Sequence, residues 1–136
     1  MAFIDDRWRD EPGLAERSVE AGGRALLSAM FISGGLQAFR EPAGRAKRAE
    51  AIGIPFPEVA TRLNGGAMVV AGVALATDIA VKPAAAVLAA SLLPTTVAGH
   101  PFWKETDPTA RAQQRIHFLK NLAMLGGLLV LLSKRR

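Results

Sequence analysis

The sequence predicts an all-α integral membrane protein, a four-helix bundle with an amphipathic interfacial segment between helices 1 and 2. Three observations lead there. Half of the residues are hydrophobic and 21% are charged, but the charges are gathered into clusters with long apolar stretches between them. A soluble domain, with about a quarter of its residues charged, spreads them more evenly. The uncharged stretches are four, at 25–39, 63–77, 83–103 and 121–133. Three of them carry paired glycines, in "SGG" (33–35), "NGG" (64–66) and "LGG" (125–127). Inside lipid, close backbone approach through small residues replaces the hydrophobic drive that holds soluble helices together.

The chain of 136 residues has the length of one domain. It has no cysteine, which excludes disulfides, thiolate metal sites and CxxC redox chemistry. Its net charge of +5 does not point to nucleic acid, because the basic residues sit at the ends of apolar runs with no recognition module between them. The opening "MAFIDDRWRDEPG" is charged, so no cleavable signal peptide is expected.

Residues 1–23 read as a polar lead-in, partly helical and lying on the surface. The first span, about 24–40, starts at Arg24, whose charge snorkels to the interface. Ala25, Ala29 and Ser33 repeat along it every four residues. The connector 40–62 holds the interfacial helix. Ala43, Ala46, Ala49 and Ile52 are read as one broad side, with Lys47 and Arg48 opposite. "IPFPE" then ends it, since Pro55 and Pro57 cannot continue a helix. The second span, about 62–80, sets roughly seven strongly apolar residues against Asn64 and Asp78, so its burial depends on helix neighbours.

A tight link leads to the third span, about 83–100, where Pro94 removes a backbone hydrogen bond and is expected to kink the helix. Thr95 and Thr96 are placed to satisfy the freed groups. Residues 100–115 form a third connector, with Phe102 and Trp103 suited to an interfacial belt. The fourth span, about 115–133, holds roughly ten Leu, Ile, Phe or Val residues, together about −3 to −6 kcal/mol for insertion. Lys120 opposes this by about +3 kcal/mol at most, so the segment inserts. Residues 134–136, "KRR", form a basic tail.

Four spans return both termini to one side and gather polar residues at the opposite end. Gln37 closes the first span, Arg62 and Asn64 open the second, and His100 closes the third with Trp103 just beyond. His117, Lys120 and Asn121 open the fourth, and their spacing of three and four makes them project together. These eight residues are the candidate site, a polar pocket for a quinone or lipid headgroup. They equally suit mutual hydrogen bonds that pin the bundle. Paired haem ligation by His100 and His117 is a further arrangement, as is a two-His metal site helped by Glu105 or Asp107. No Gly-rich phosphate loop, HExxH or nucleophile with its base is present, so no catalytic or metal-binding residue is assigned.

"GGRALLSAMFISGGLQAF", "GIPFPEVATRLNGGAMVVAGVALA", the H-x-F-W-x-x-x-D stretch from His100 to Asp107, and "HFLKNLAMLGGLL" together resemble the DoxX family of small four-helix bacterial membrane proteins. The resemblance spans about residues 22 to 131. One departure is Asn64, where many members carry a glutamate early in the second helix. The family takes its name from a subunit linked to a terminal quinol oxidase. Certain actinobacterial members associate with superoxide dismutase and a thiosulfate sulfurtransferase in a complex that counters oxidative stress.

The Gly-rich helix faces and the short first, second and fourth spans point to a non-catalytic integral membrane subunit of a larger complex, and the resemblance implies a redox or oxidative-stress setting for it. The alternatives are a quinone- or lipid-binding protein and a catalytic membrane oxidoreductase component. No cofactor is expected beyond a bound quinone or lipid. The expected partners are membrane lipids and other membrane subunits or further copies of the chain. The 17 Lys and Arg residues divide almost evenly between the two faces. The "KRR" ending and the resemblance favour cytoplasmic termini in a bacterial inner membrane.

Overall fold

A computed structural model describes residues 11–135, and these contain helices and turns but no strand. The opening of the expected lead-in and Arg136 of the basic tail lie outside the described residues. The helices are α1 (Leu14–Arg40), α2 (Ala43–Ala51), α3 (Pro57–Ala76), α4 (Val81–Gly99) and α5 (Pro108–Ser133). A 3-10 turn, Phe102–Lys104, joins α4 to α5.

Two prolines read as belonging to connectors instead begin helices. Pro57 and Pro108 occupy the first turns of α3 and α5, where the missing N–H costs nothing and the fixed φ is already helical. Asp107 caps α5, its Oδ2 accepting from the Ala110 N–H at 2.8 Å. Both connectors are therefore shorter than expected, and Asp107 serves the start of α5 instead of lying within a connector. Gly53 at φ +84° supplies the left-handed turn that ends α2.

α4 runs unbroken through Pro94. The two threonine hydroxyls do not fill the gap that Pro94 leaves at the Ala90 carbonyl. Thr95 Oγ1 donates to Ser91 O and Thr96 Oγ1 to Leu92 O, each at 2.6 Å, reinforcing the next turn of the same helix.

α1 and α3 touch backbone to backbone. A Cβ built on Gly35 lies 2.6 Å from Gly65 O, and one built on Gly65 lies 2.6 Å from Gly35 O. A turn and more away, a Cβ on Gly72 meets Ile32 at 2.8 Å. Only hydrogen side chains permit this approach. α4 then packs between α3 and α5, and α2 rests on α3 and α4. Phe31, Leu75, Leu88 and Leu128 form the buried centre, one from each long helix.

Among the described residues, three segments are long and apolar enough to cross a membrane: Pro57–Ala76, Val81–Lys104 and Pro108–Ser133. The expected fourth, α1, is not among them. Its apolar part is continuous with a charged first half carrying Glu16, Arg17, Glu20 and Arg24, so the helix is long but not uniformly apolar. At that end Arg24 is buried and contacts Glu20 at 3.3 Å and Asp78 at 3.7 Å. Lys134, just past α5, reaches Glu20 at 3.1 Å.

Candidate functional site

The chain directions bring the C-terminal ends of α1 and α4 and the N-terminal ends of α3 and α5 to the opposite end of the bundle, where α2 lies across them. A half-open cavity of about 820 Å³ forms there. That is within the roughly 300–1,000 Å³ range of small-molecule pockets. Its inner wall is apolar, with Met30, Phe31, Met68, Leu92 and Met124. Its outer rim is polar.

Of the expected site residues, Gln37, Asn64, His100, Lys120 and Asn121 line this cavity. Asn121 is buried, and its Nδ2 donates to Thr96 Oγ1 at 3.0 Å, tying α5 to α4. Asn64 has only a long contact of 3.6 Å from Nδ2 to Met68 Sδ within its own helix. Gln37 Oε1 accepts from Arg45 Nη2 at 3.1 Å, which fastens α2 to the end of α1. His100 lies at the C-terminal end of α4, and its Nδ1 shares a hydrogen bond of 2.8 Å with Gln114 Oε1 of α5.

The other three lie outside the lining. His117 stacks on His100 with ring centroids 5.2 Å apart, one turn nearer the helix end than Lys120. Arg62 turns away, its Nη1 donating to Phe39 O at 2.7 Å and its Nη2 to Glu58 Oε1 at 3.3 Å. There it completes the C-terminal end of α1, a place where cations suit the exposed carbonyls. Trp103 sits edge-on to Phe102 and Phe118, in an aromatic corner where the 3-10 turn meets α5. Among the described residues no group of three His, Cys, Asp or Glu is gathered as for a metal ion.

The sequence reading missed the contribution of α2. Arg45 and Arg48 line the cavity, whereas Arg48 was expected to face away with Lys47. Residues three apart advance roughly 300° around a helix and so fall about 60° short of a full turn at each step. Ala43, Ala46, Ala49 and Ile52 therefore spiral around α2 and do not make one side. Only Ala46 of this set is buried, and the rotation it imposes turns Arg45, Arg48 and Ala49 inward. The signal available was the pair Arg45 and Arg48, whose spacing puts both guanidinium groups on one side.

Apolar helices of spanning length, joined around a polar-rimmed cavity at one end, define a multi-helix membrane protein. The DoxX family model matches residues 21–101, more than half of the chain. The chain belongs to the DoxX family. The match ends before α5, so Gln114, His117, Lys120 and Asn121 lie beyond it. No curated protein and no solved structure matches the chain.

Proposed function

We propose that this DoxX-family protein is a non-catalytic membrane protein that holds an amphiphile, a lipid or a quinone, in the cavity between the helices. Here α1 crosses the bilayer with the other three long helices, and the termini face the cytoplasm of a bacterial inner membrane. The observation that carries this reading is the cavity itself, which combines apolar and polar lining at one end of the bundle, an arrangement suited to a head group and its tail. Its polar side chains supply hydrogen-bond partners for a head group.

The test is the content of organic extracts from the purified full-length protein. The double variant Asn64→Leu, Ala98→Leu fills the cavity and leaves the Asn121–Thr96 bond in place. Its extract is expected to contain at least roughly 10-fold less of the co-purifying lipid or quinone, a loss equal to about 1.4 kcal/mol of affinity. Equal content in the two extracts would remove the cavity from the function.

A second reading, an accessory subunit of a larger redox or oxidative-stress complex, is favoured by the outer side of α5. Only 17% of the α5 span is buried within the chain, against 44% for α4, and a Cβ at Gly126 meets nothing within 4 Å. An exposed apolar surface of Leu119, Leu122, Leu129 and Val130, opened at Gly126, lets a neighbouring helix approach. A photo-crosslinking residue at 126 is expected to capture a protein, either another subunit or a second copy. Capture of lipid alone would reject this reading.

A further inference from the structure

We infer that the head group selected by the cavity is an oxyanion, a phosphate or carboxylate carried on an acyl tail. Arg45, Arg48 and Lys120 are its positive partners. The inference rests on the cavity holding an amphiphile, and it concerns which amphiphile. Two cations come from α2 and one from α5, so they face the same space from separate elements. Glu41 is the lone carboxylate in the lining, and none of the three cations is ion-paired among the described residues. Arg45 has a neutral partner, Gln37, which orients the guanidinium without neutralising it.

The other titratable group facing them is His100, from the end of α4, which also supplies no negative charge. Among the described residues Arg24, Arg62 and Lys134 have carboxylate partners, while surface cations such as Lys47, Lys104 and Arg115 have none. What sets Arg45, Arg48 and Lys120 apart is that they line one cavity. The cavity gathers three positive charges against the single carboxylate of Glu41. A guanidinium fork matches the paired oxygens of phosphate or carboxylate, and Lys120 adds a point charge from α5. Below them Met30, Met68 and Met124 offer a deformable apolar wall suited to an acyl chain. A neutral quinone head would leave all three charges unmatched.

Native mass spectrometry of the full-length protein in detergent tests this with four probes: phosphatidylglycerol, oleate, phosphatidylcholine and ubiquinone. The expected result is that phosphatidylglycerol or oleate binds at least roughly 10-fold tighter than phosphatidylcholine. A preference for phosphatidylglycerol identifies a membrane phospholipid as the source, and one for oleate a free fatty acid. Each cation is expected to contribute roughly 5-fold for a lipid of net negative charge, so R45Q/R48Q/K120Q removes roughly 100-fold of anionic binding and has a much smaller effect on phosphatidylcholine, whose phosphate is balanced by its own choline.

Arg48→Gln and Lys120→Gln alone, each a change at an exposed side chain, give the same answer if the triple variant does not fold. Lys47→Gln, on α2 but outside this cavity, removes the same charge and is expected to have no effect. Equal loss in Lys47→Gln, or tightest binding of ubiquinone or phosphatidylcholine, would overturn the charge selection and keep the cavity as an amphiphile site. Binding of none of the four probes would overturn both.

Discussion

Gly65→Ala is expected to lower the stability of the detergent-solubilised protein by about 3 kcal/mol, the upper part of the range for overpacking a well-packed site. The added Cβ lies 2.6 Å from Gly35 O, 2.9 Å from Phe39 N and 3.1 Å from Ala38 Cβ. Two of these are backbone atoms of α1, so no side-chain rotation relieves the clash and the helices must separate. Gly35→Ala meets the mirror-image obstacle, Gly65 O at 2.6 Å with the Met68 and Val69 side chains. The double variant is expected to lose much less than the sum, because one separation accommodates both methyl groups. Gly126→Ala is the control, with open space at its Cβ and a change expected within about 1 kcal/mol. Thermal unfolding in detergent, followed by circular dichroism, measures all four. Equal midpoints for Gly65→Ala and Gly126→Ala would show that α1 and α3 are not in backbone contact.

Glu20→Gln is expected to cost about 2–4 kcal/mol, more than Arg24→Met. The Arg24 side chain is 9% exposed, and its Nε has no partner among the described residues. Glu20 is the nearer of its two carboxylates and holds Lys134 as well. Removing Glu20 leaves a buried cation facing Asp78 at 3.7 Å, with Asp78 itself half exposed. Breaking one partner of a buried pair costs about 3–5 kcal/mol, and the partial exposure of both carboxylates reduces that here. Arg24→Met removes the buried charge together with its desolvation cost and leaves Glu20 paired to Lys134. The order of the two losses is the decisive result, read from chemical denaturation in mixed micelles. A larger loss for Arg24→Met would show that the guanidinium is well solvated in the folded chain.

The sequence was most informative where a helix end carries its own chemical mark. The third span, expected at 83–100 from its uncharged run, agrees closely with α4 at Val81–Gly99, which ends just before Pro101. The start of α5 was misplaced although Asp107 and Pro108 form a capping residue followed by a first-turn proline. Polarity in 108–115 made that stretch look like a connector. A helix leaving the bilayer continues through polar residues as readily as a soluble one, so the apolar run marks the span and not the helix.

For the site, chain direction alone set the level, and level was enough to bring Gln37, Asn64, His100, Lys120 and Asn121 around one cavity. Rotation about each helix axis was not available in the same way. Arg62 faces the end of α1 because α3 is turned by its glycine contact, and Arg48 faces inward because Ala46 seats α2. Both rotations are decided by packing between segments far apart in the sequence, and a single sequence shows such contacts only weakly.

The close approach at Gly35 and Gly65 divides the bundle into unequal halves. Along that seam two backbones brace each other, while α5 is fully buried at no more than Asn121 and Leu128. Stiffness follows the density of such contacts. The α1–α3 pair is thus the keel of the molecule, and α5 its yielding plank. Any swelling of the interior to take in a bulky guest will be borne by the α5 side first.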